Sequence, residues 1–236
     1  MTAARSRLIV ALDLPDRKAA LEMLARLQGR AGCFKVGLEL FVREGPRLVE
    51  EIRALGADVF LDLKLHDIPN TVAAAVRSAS SLGARMLTVH VSGGVRMLAA
   101  ARTAAETGER PPLLLGVTAL TSLADSDADQ LGIGGGIAGW VERLGRLASE
   151  AGLGGLVASP LETARLRARF PAMKLVVPGI RPSGADSGDQ ARTAAPLEAI
   201  RAGADYLVVG RPILQAADPA AAAERIVAEI AEALPG

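Results

Sequence analysis

Two carboxylates and an amine lie close together in Asp62-Leu63-Lys64-Leu65-His66-Asp67, and the next residues are Ile68-Pro69-Asn70-Thr71. The run from Val59 to Leu65 reads as a strand, so Phe60, Asp62 and Lys64 share one face while Val59, Leu61, Leu63 and Leu65 share the other. An ammonium flanked by carboxylates keeps its proton even where burial would strip a lone lysine, and a fixed cation of that kind can stabilise or protonate a developing anion. The plainer alternative is a solvated edge strand. Pro69 with Asn70 and Thr71 instead marks a strand-to-helix junction, the place where catalytic side chains of parallel α/β folds collect.

The elements that must position this group repeat along the chain. Strands are predicted at Leu8–Asp13, Cys33–Gly37, Val59–Leu65, Met86–Val91, Leu113–Val117, Leu156–Ala158, Lys174–Val177 and Tyr206–Val209. Helical spacing follows each one: Ala19 to Leu27, then 39–55, 71–82, 95–107, 137–151, 161–169, 196–202 and 219–234. Several strands are announced by a glycine (Gly56, Gly83, Gly152, Gly203) of the kind that ends a helix in the left-handed conformation. Eight strand–helix alternations in 236 residues predict an α/β fold, a single (β/α)8 TIM barrel over 1–236, with an open doubly wound sheet as the alternative. On the second strand Cys33, Lys35 and Gly37 share a face, opposite Phe34 and Val36.

Composition narrows the partners. Lys and Arg number 27 against 26 Asp and Glu, interspersed rather than blocked, which argues against nucleic acid or an anionic membrane surface and for a small ligand. The N-terminal residues are expected to lead directly into the first strand without a signal-peptide core, and no apolar run approaches a membrane span, so a cytoplasmic protein is expected. Cys33, alone and in an apolar run, reads as a small buried hydrophobe. His66 and His90 read as structural, Ser92 as a helix cap, and the arginine-rich helix 161–170 as a solvated face.

Two loops and one turn remain. Residues 131–137, rich in glycine, follow a polar segment rather than a strand and read as a flexible approach to a helix. Residues 178–190 follow the seventh strand and read as a lid with polar members Arg181 and Gln190. After the eighth strand, Gly210-Arg211 stands at a helix start, where barrels often bind phosphate.

With these residues placed, the chain resembles the orotidine 5′-monophosphate decarboxylase family. The resemblance rests on Ala11-Leu12-Asp13, Phe34-Lys35-Val36-Gly37, the decapeptide 62–71, Leu120-Thr121-Ser122, Pro178-Gly179-Ile180-Arg181 and Val209-Gly210-Arg211, in that order. It implies decarboxylation of orotidine 5′-monophosphate to UMP with no metal or cofactor, in a homodimer whose sites lie at the interface. The implied charge array is Lys35, Asp62, Lys64 and Asp67, with Lys64 delivering the proton and Asp67 coming from the partner together with Ile68 and Thr71. Asp13 and Lys35 are implied to hold ribose hydroxyls and Thr121 the pyrimidine. Arg181 beside Pro178, with Gln190, Gly210 and Arg211, is implied to hold the 5′-phosphate.

A rival of similar sequence is the Mg2+-dependent 3-keto-L-gulonate 6-phosphate decarboxylase type, which carries a metal-binding Glu where this chain has Lys35. A second is a catalytically silent barrel that binds nucleotide phosphates.

Overall fold

In a computed structural model, which describes residues 2–108, 110–182 and 193–234, eight parallel strands close into one barrel in the order β1 to β8, with β8 hydrogen-bonded to β1. After a short helix α1 (Ala3–Ser6) come β1 (Leu8–Ala11), α2 (Arg17–Leu27), β2 (Cys33–Gly37), α3 (Leu38–Glu44), α4 (Pro46–Ala54) and β3 (Val59–Leu65). Next are α5 (Pro69–Ser81), β4 (Met86–His90), a 3-10 turn at Val91–Gly93, α6 (Gly94–Ala105) and β5 (Leu113–Val117). The chain continues through α7 (Asp125–Gln130), α8 (Gly136–Glu150), β6 (Gly155–Val157), α9 (Pro160–Arg169) and β7 (Lys174–Val177). It ends with α10 (Pro196–Arg201), β8 (Tyr206–Val209), α11 (Arg211–Leu214) and α12 (Pro219–Ala233). Gly56, Gly83, Gly152 and Gly203 all have positive φ, as their place between helix and strand requires.

The alternation of the strands sorts their side chains into two layers. Val10, Val36, Leu61, Leu87 and Leu156 point outward into the layer beneath the helices. Ile9, Cys33, Phe60, Met86, Leu115, Val176 and Val208 point inward and fill the barrel. A strand buried on both faces reads as a continuous apolar run, which explains the sequence pattern. Above this plug, toward the C-terminal ends of the strands, the inward positions become polar: Lys35 on β2, Asp62 and Lys64 on β3, Thr88 on β4. Burial pushes the Cys33 thiol up, so it behaves as a hydrophobe.

Several local expectations change. The helix expected over 39–55 is two, because Gly45 takes φ +68° and Pro46 starts α4, where its missing N–H is harmless. The N-terminal residues do not run straight into β1; α1 intervenes and lies so close to the second strand's approach that a Cβ on Gly32 would sit 2.7 Å from the Ser6 Cα. The polar segment before the glycine-rich loop folds as α7, whose first turn is closed by the Asp127 carboxylate accepting from the Ala124 N–H at 2.7 Å. Ser92 is not the cap: it lies inside the 3-10 turn, and α6 begins at Gly94 with Gly93 at its N-cap and no side-chain cap.

The arginine-rich helix is only partly solvated. Arg165 and Arg169 pair with Glu142 at the surface, but Arg167 donates to the carbonyls of Pro171, Met173 and Gly203 and to Asp205. It thereby ties α9 to the loops that flank β7 and β8. Burial pushes the Asp205 carboxyl up, but bonds from the Leu175 N–H, Lys174 and Arg167 outweigh it and hold the group below the usual carboxylate range. Among the described residues, no helix is long and apolar enough to cross a membrane.

Candidate active site

The polar mouth of the barrel is a cleft of about 550 Å³. Its floor is the top of the inner plug, lined by Phe60, Val117, Val157 and Val208. Its walls come from the loops after the strands: Asp13 after β1, Thr121 after β5, Pro178 and Arg181 after β7, Gly210 and Arg211 after β8. Lys35, Asp62 and Lys64 reach into it from β2 and β3.

These charges form a continuous chain. Lys35 Nζ donates to Asp13 Oδ1 at 2.9 Å and stands 3.8 Å from Asp62 Oδ2, and that same oxygen accepts from Lys64 Nζ at 2.7 Å. Lys35 and Asp62 are only 9% and 8% exposed, so their attraction is weakly screened by solvent. Gly37 makes room for the first link, since a Cβ there would meet Lys35 Nζ at 2.9 Å. At the other side of the cleft the Arg181 N–H donates to Ala194 O and the Ala194 N–H to Gly179 O, which pins the start of the β7 loop to the segment before α10.

The β3 segment that carries the amine is irregular. Leu61 pairs with Leu87 and Leu65 with Val89, so β3 spends four residues where β4 spends two. Within this bulge Lys64 has φ +49°, and it is the one non-glycine residue with positive φ among the described residues.

A family profile described as "Orotidine 5′-phosphate decarboxylase / HUMPS family" matches residues 6–226. The orotidine 5′-phosphate decarboxylase of Pseudomonas syringae pv. tomato is 49% identical over 98% of this chain and all of its own length. That of Anaeromyxobacter sp. (strain K) is 53% identical over 94% of this chain and 97% of its own. The crystal structure of orotidine 5′-phosphate decarboxylase from Lactobacillus acidophilus superposes with a TM-score of 0.83 at 36% identity, covering 94% of this chain and 98% of that one. The chain belongs to the orotidine 5′-phosphate decarboxylase / HUMPS family.

Membership in the decarboxylase / HUMPS family gives the cleft its context, and the structure brings Asp13, Lys35, Asp62, Lys64, Thr121, Pro178, Arg181, Gly210 and Arg211 around it. Asp67, Ile68 and Thr71 do not line it. All three are exposed, Ile68 at 66%, and the Asp67 carboxylate accepts from the Ile68 N–H at 2.5 Å. Gln190, and with it most of the expected lid, lies outside the described residues. The helix after Gly210 is a single turn of four residues, too short for a strong axial dipole, so the pull on an anion there falls to the Arg211 and Arg181 charges and the backbone N–H groups.

Sequence reasoning missed Gln215, which lines the cleft from the end of α11, and Thr88, which lies beneath it. His66 and His90 stand ring to ring, 5.5 Å between centroids. Burial, then His66 and Lys64, holds the His90 imidazole below its ordinary range, with Asp62 opposing them. A neutral imidazole there adds no third charge beside Lys64.

Proposed function

We propose that this barrel decarboxylates orotidine 5′-monophosphate to UMP, and that the Lys64 ammonium delivers the proton to C6 of the pyrimidine. The observation that carries the reading is the 2.7 Å Lys64–Asp62 pair inside a cleft whose far wall bears Arg181 and Arg211. A cleft of about 550 Å³ suits a mononucleotide.

The bond from C6 to the carboxylate breaks, its electron pair stays on C6 in an sp2 orbital, and CO2 departs. No adjacent carbonyl delocalises that pair, so its stabilisation must be electrostatic. Lys64 supplies it twice, first as a cation facing C6 and then as the acid whose proton forms the new C6–H bond, leaving a neutral amine that solvent reprotonates. Asp62, 2.7 Å away, holds the amine in place through their ion pair. Asp13 and Lys35, bonded to one another, present oxygen and ammonium to the ribose hydroxyls; Thr121 faces the base.

The phosphate end is remote from C6. Its binding energy helps to order the charged groups, so a substrate without phosphate loses turnover as well as affinity.

The Mg2+-dependent alternative fits the donor set poorly. The Lys35 ammonium occupies the space between Asp13 and Asp62 where a divalent ion would seek both carboxylates, and it would repel that ion.

The reading includes a homodimer. Val42 at 81%, Leu38 at 51% and Ile68 at 66% exposure leave apolar surface on the rim around β2 and β3. A second copy would cover it and bring its own Asp67 and Thr71 to the cleft. The lone buried thiol suits a reducing cytoplasm.

The test is the ultraviolet absorbance of orotidine 5′-monophosphate mixed with purified protein in excess EDTA. Loss of the orotate signal, unaffected by chelator and abolished in Lys64→Ala, is expected. Absent turnover, or turnover that EDTA stops, overturns the reading.

A further inference from the structure

We infer that Thr88 is a positioning residue for the reaction, its single hydroxyl clamping both the Asp62 carboxylate and the backbone of Lys64. The inference rests on the decarboxylase reading above and adds to it a part of the site that touches no substrate.

The clamp follows from the bulge in β3. Where β3 runs four residues past two of β4, the ladder hydrogen bonds cannot continue, and the backbone N–H groups of the extra residues need other partners. The Lys64 N–H finds the Thr88 Oγ1 at 2.9 Å. The same Oγ1 stands 3.0 Å from Asp62 Oδ1. A hydroxyl has one proton, and a carboxylate only accepts, so the direction of both bonds is fixed: Lys64 N–H donates to Thr88, and Thr88 donates to Asp62.

The consequence is steric and electrostatic at once. Asp62 Oδ1 is taken by Thr88, which leaves Oδ2 facing the cleft, where it receives Lys64 Nζ at 2.7 Å. The backbone at Lys64, meanwhile, is held at φ +49°, a conformation an L side chain adopts only when its surroundings impose it. Thr88 is 0% exposed, so no solvent molecule competes for either bond. One side chain therefore sets both members of the ion pair that carries the chemistry, from a neighbouring strand.

Serine and alanine at this position separate the hydroxyl from the bulk, because both remove the methyl and only serine keeps the oxygen. Steady-state turnover of orotidine 5′-monophosphate is measured for wild type, Thr88→Ser, Thr88→Ala and the isosteric Thr88→Val, together with thermal melting. Thr88→Ser is expected to keep kcat within about threefold, while Ala and Val lose about 10- to 100-fold in kcat with KM changed less than about threefold. The loss belongs in kcat because the charge array is complementary to the transition state, whereas the phosphate and ribose contacts that set KM are untouched.

Equal kcat for Ser and Ala overturns the inference, as does a loss confined to KM. Failure of both Ala and Val to fold while Ser folds also overturns it, since the hydroxyl would then hold the barrel rather than the amine. An inactive wild type instead sinks the decarboxylase reading, which keeps the two failures distinct.

Discussion

Replacing Gly37 with alanine perturbs one contact in the site and almost nothing else. Gly37 closes β2 at φ −90° and ψ −177°, extended backbone that alanine adopts without strain. Its new Cβ would lie 2.9 Å from Lys35 Nζ and 3.5 Å from Asp13 Oδ1. The strand is fixed and the lysine tip is not, so the ammonium moves by about 0.5 Å to regain ordinary contact. At an effective dielectric of about 20, the attraction between Lys35 and Asp62 across 3.8 Å is about 4 kcal/mol, and that displacement removes about 0.5 kcal/mol of it. The 2.9 Å bond to Asp13 is the larger casualty; with the Asp13 side chain 58% exposed, its loss costs about 1 kcal/mol. The sum lowers kcat/KM about tenfold. Continuous absorbance assays should show this fall while the melting temperature drops by no more than about 6 °C. Unchanged kcat/KM, or a fall that tracks a large loss of thermal stability, would refute the idea that Gly37 keeps space for the ammonium.

Asp205→Asn tests the strut between α9, β7 and β8. The folded carboxyl lies below its ordinary range, so its contribution is complete at neutral pH and is lost as pH falls below about 4 toward the folded value. The variant should lose about 2 kcal/mol, or about 4–8 °C in melting temperature at pH 7, with the gap to wild type narrowing in acid; a gap independent of pH would contradict it. The proposed dimer, in which Asp67 reaches the partner's site, is tested by complementation. Lys64→Ala and Asp67→Asn, each inactive alone, should recover about one quarter of wild-type activity per subunit when unfolded together and refolded, because half of the random dimers are hybrids with one intact site. No recovery, with hybrids shown to form, would place Asp67 outside the partner's site.

Much of the barrel was legible because parallel strands buried on both faces, punctuated by helix-ending glycines, leave few other folds. Lys35, Asp62 and Lys64 stood out as charges among apolar neighbours. Thr88 did not: threonine is an ordinary strand former, and only the coordinates reveal that it faces a bulge. The bulge itself was hidden because the alternation Asp62, Lys64 reads the same whether β3 runs straight or spends two extra residues. Arg167 was lost among Arg165 and Arg169, since periodicity does not say which arginine of a helix turns toward loop carbonyls. Pro46 after Gly45 was a visible break signal that the apolar spacing on either side outweighed. Asp67, Ile68 and Thr71 are expected at a partner's site by motif alone, and in the single chain they lie exposed outside the cleft.

Closure of β8 onto β1 makes the site a join between the two ends of the fold. Asp13 follows the first strand and Gly210 follows the last, yet a Cβ on Gly210 would stand 3.4 Å from Asp13 Oδ2. The last strand leads to Arg211, which lines the same cleft that Lys35, Asp62 and Lys64 enter from β2 and β3. A ligand held between Asp13 and Arg211 would therefore bridge the first and last strands, and its binding free energy would add to the stability of the closed barrel.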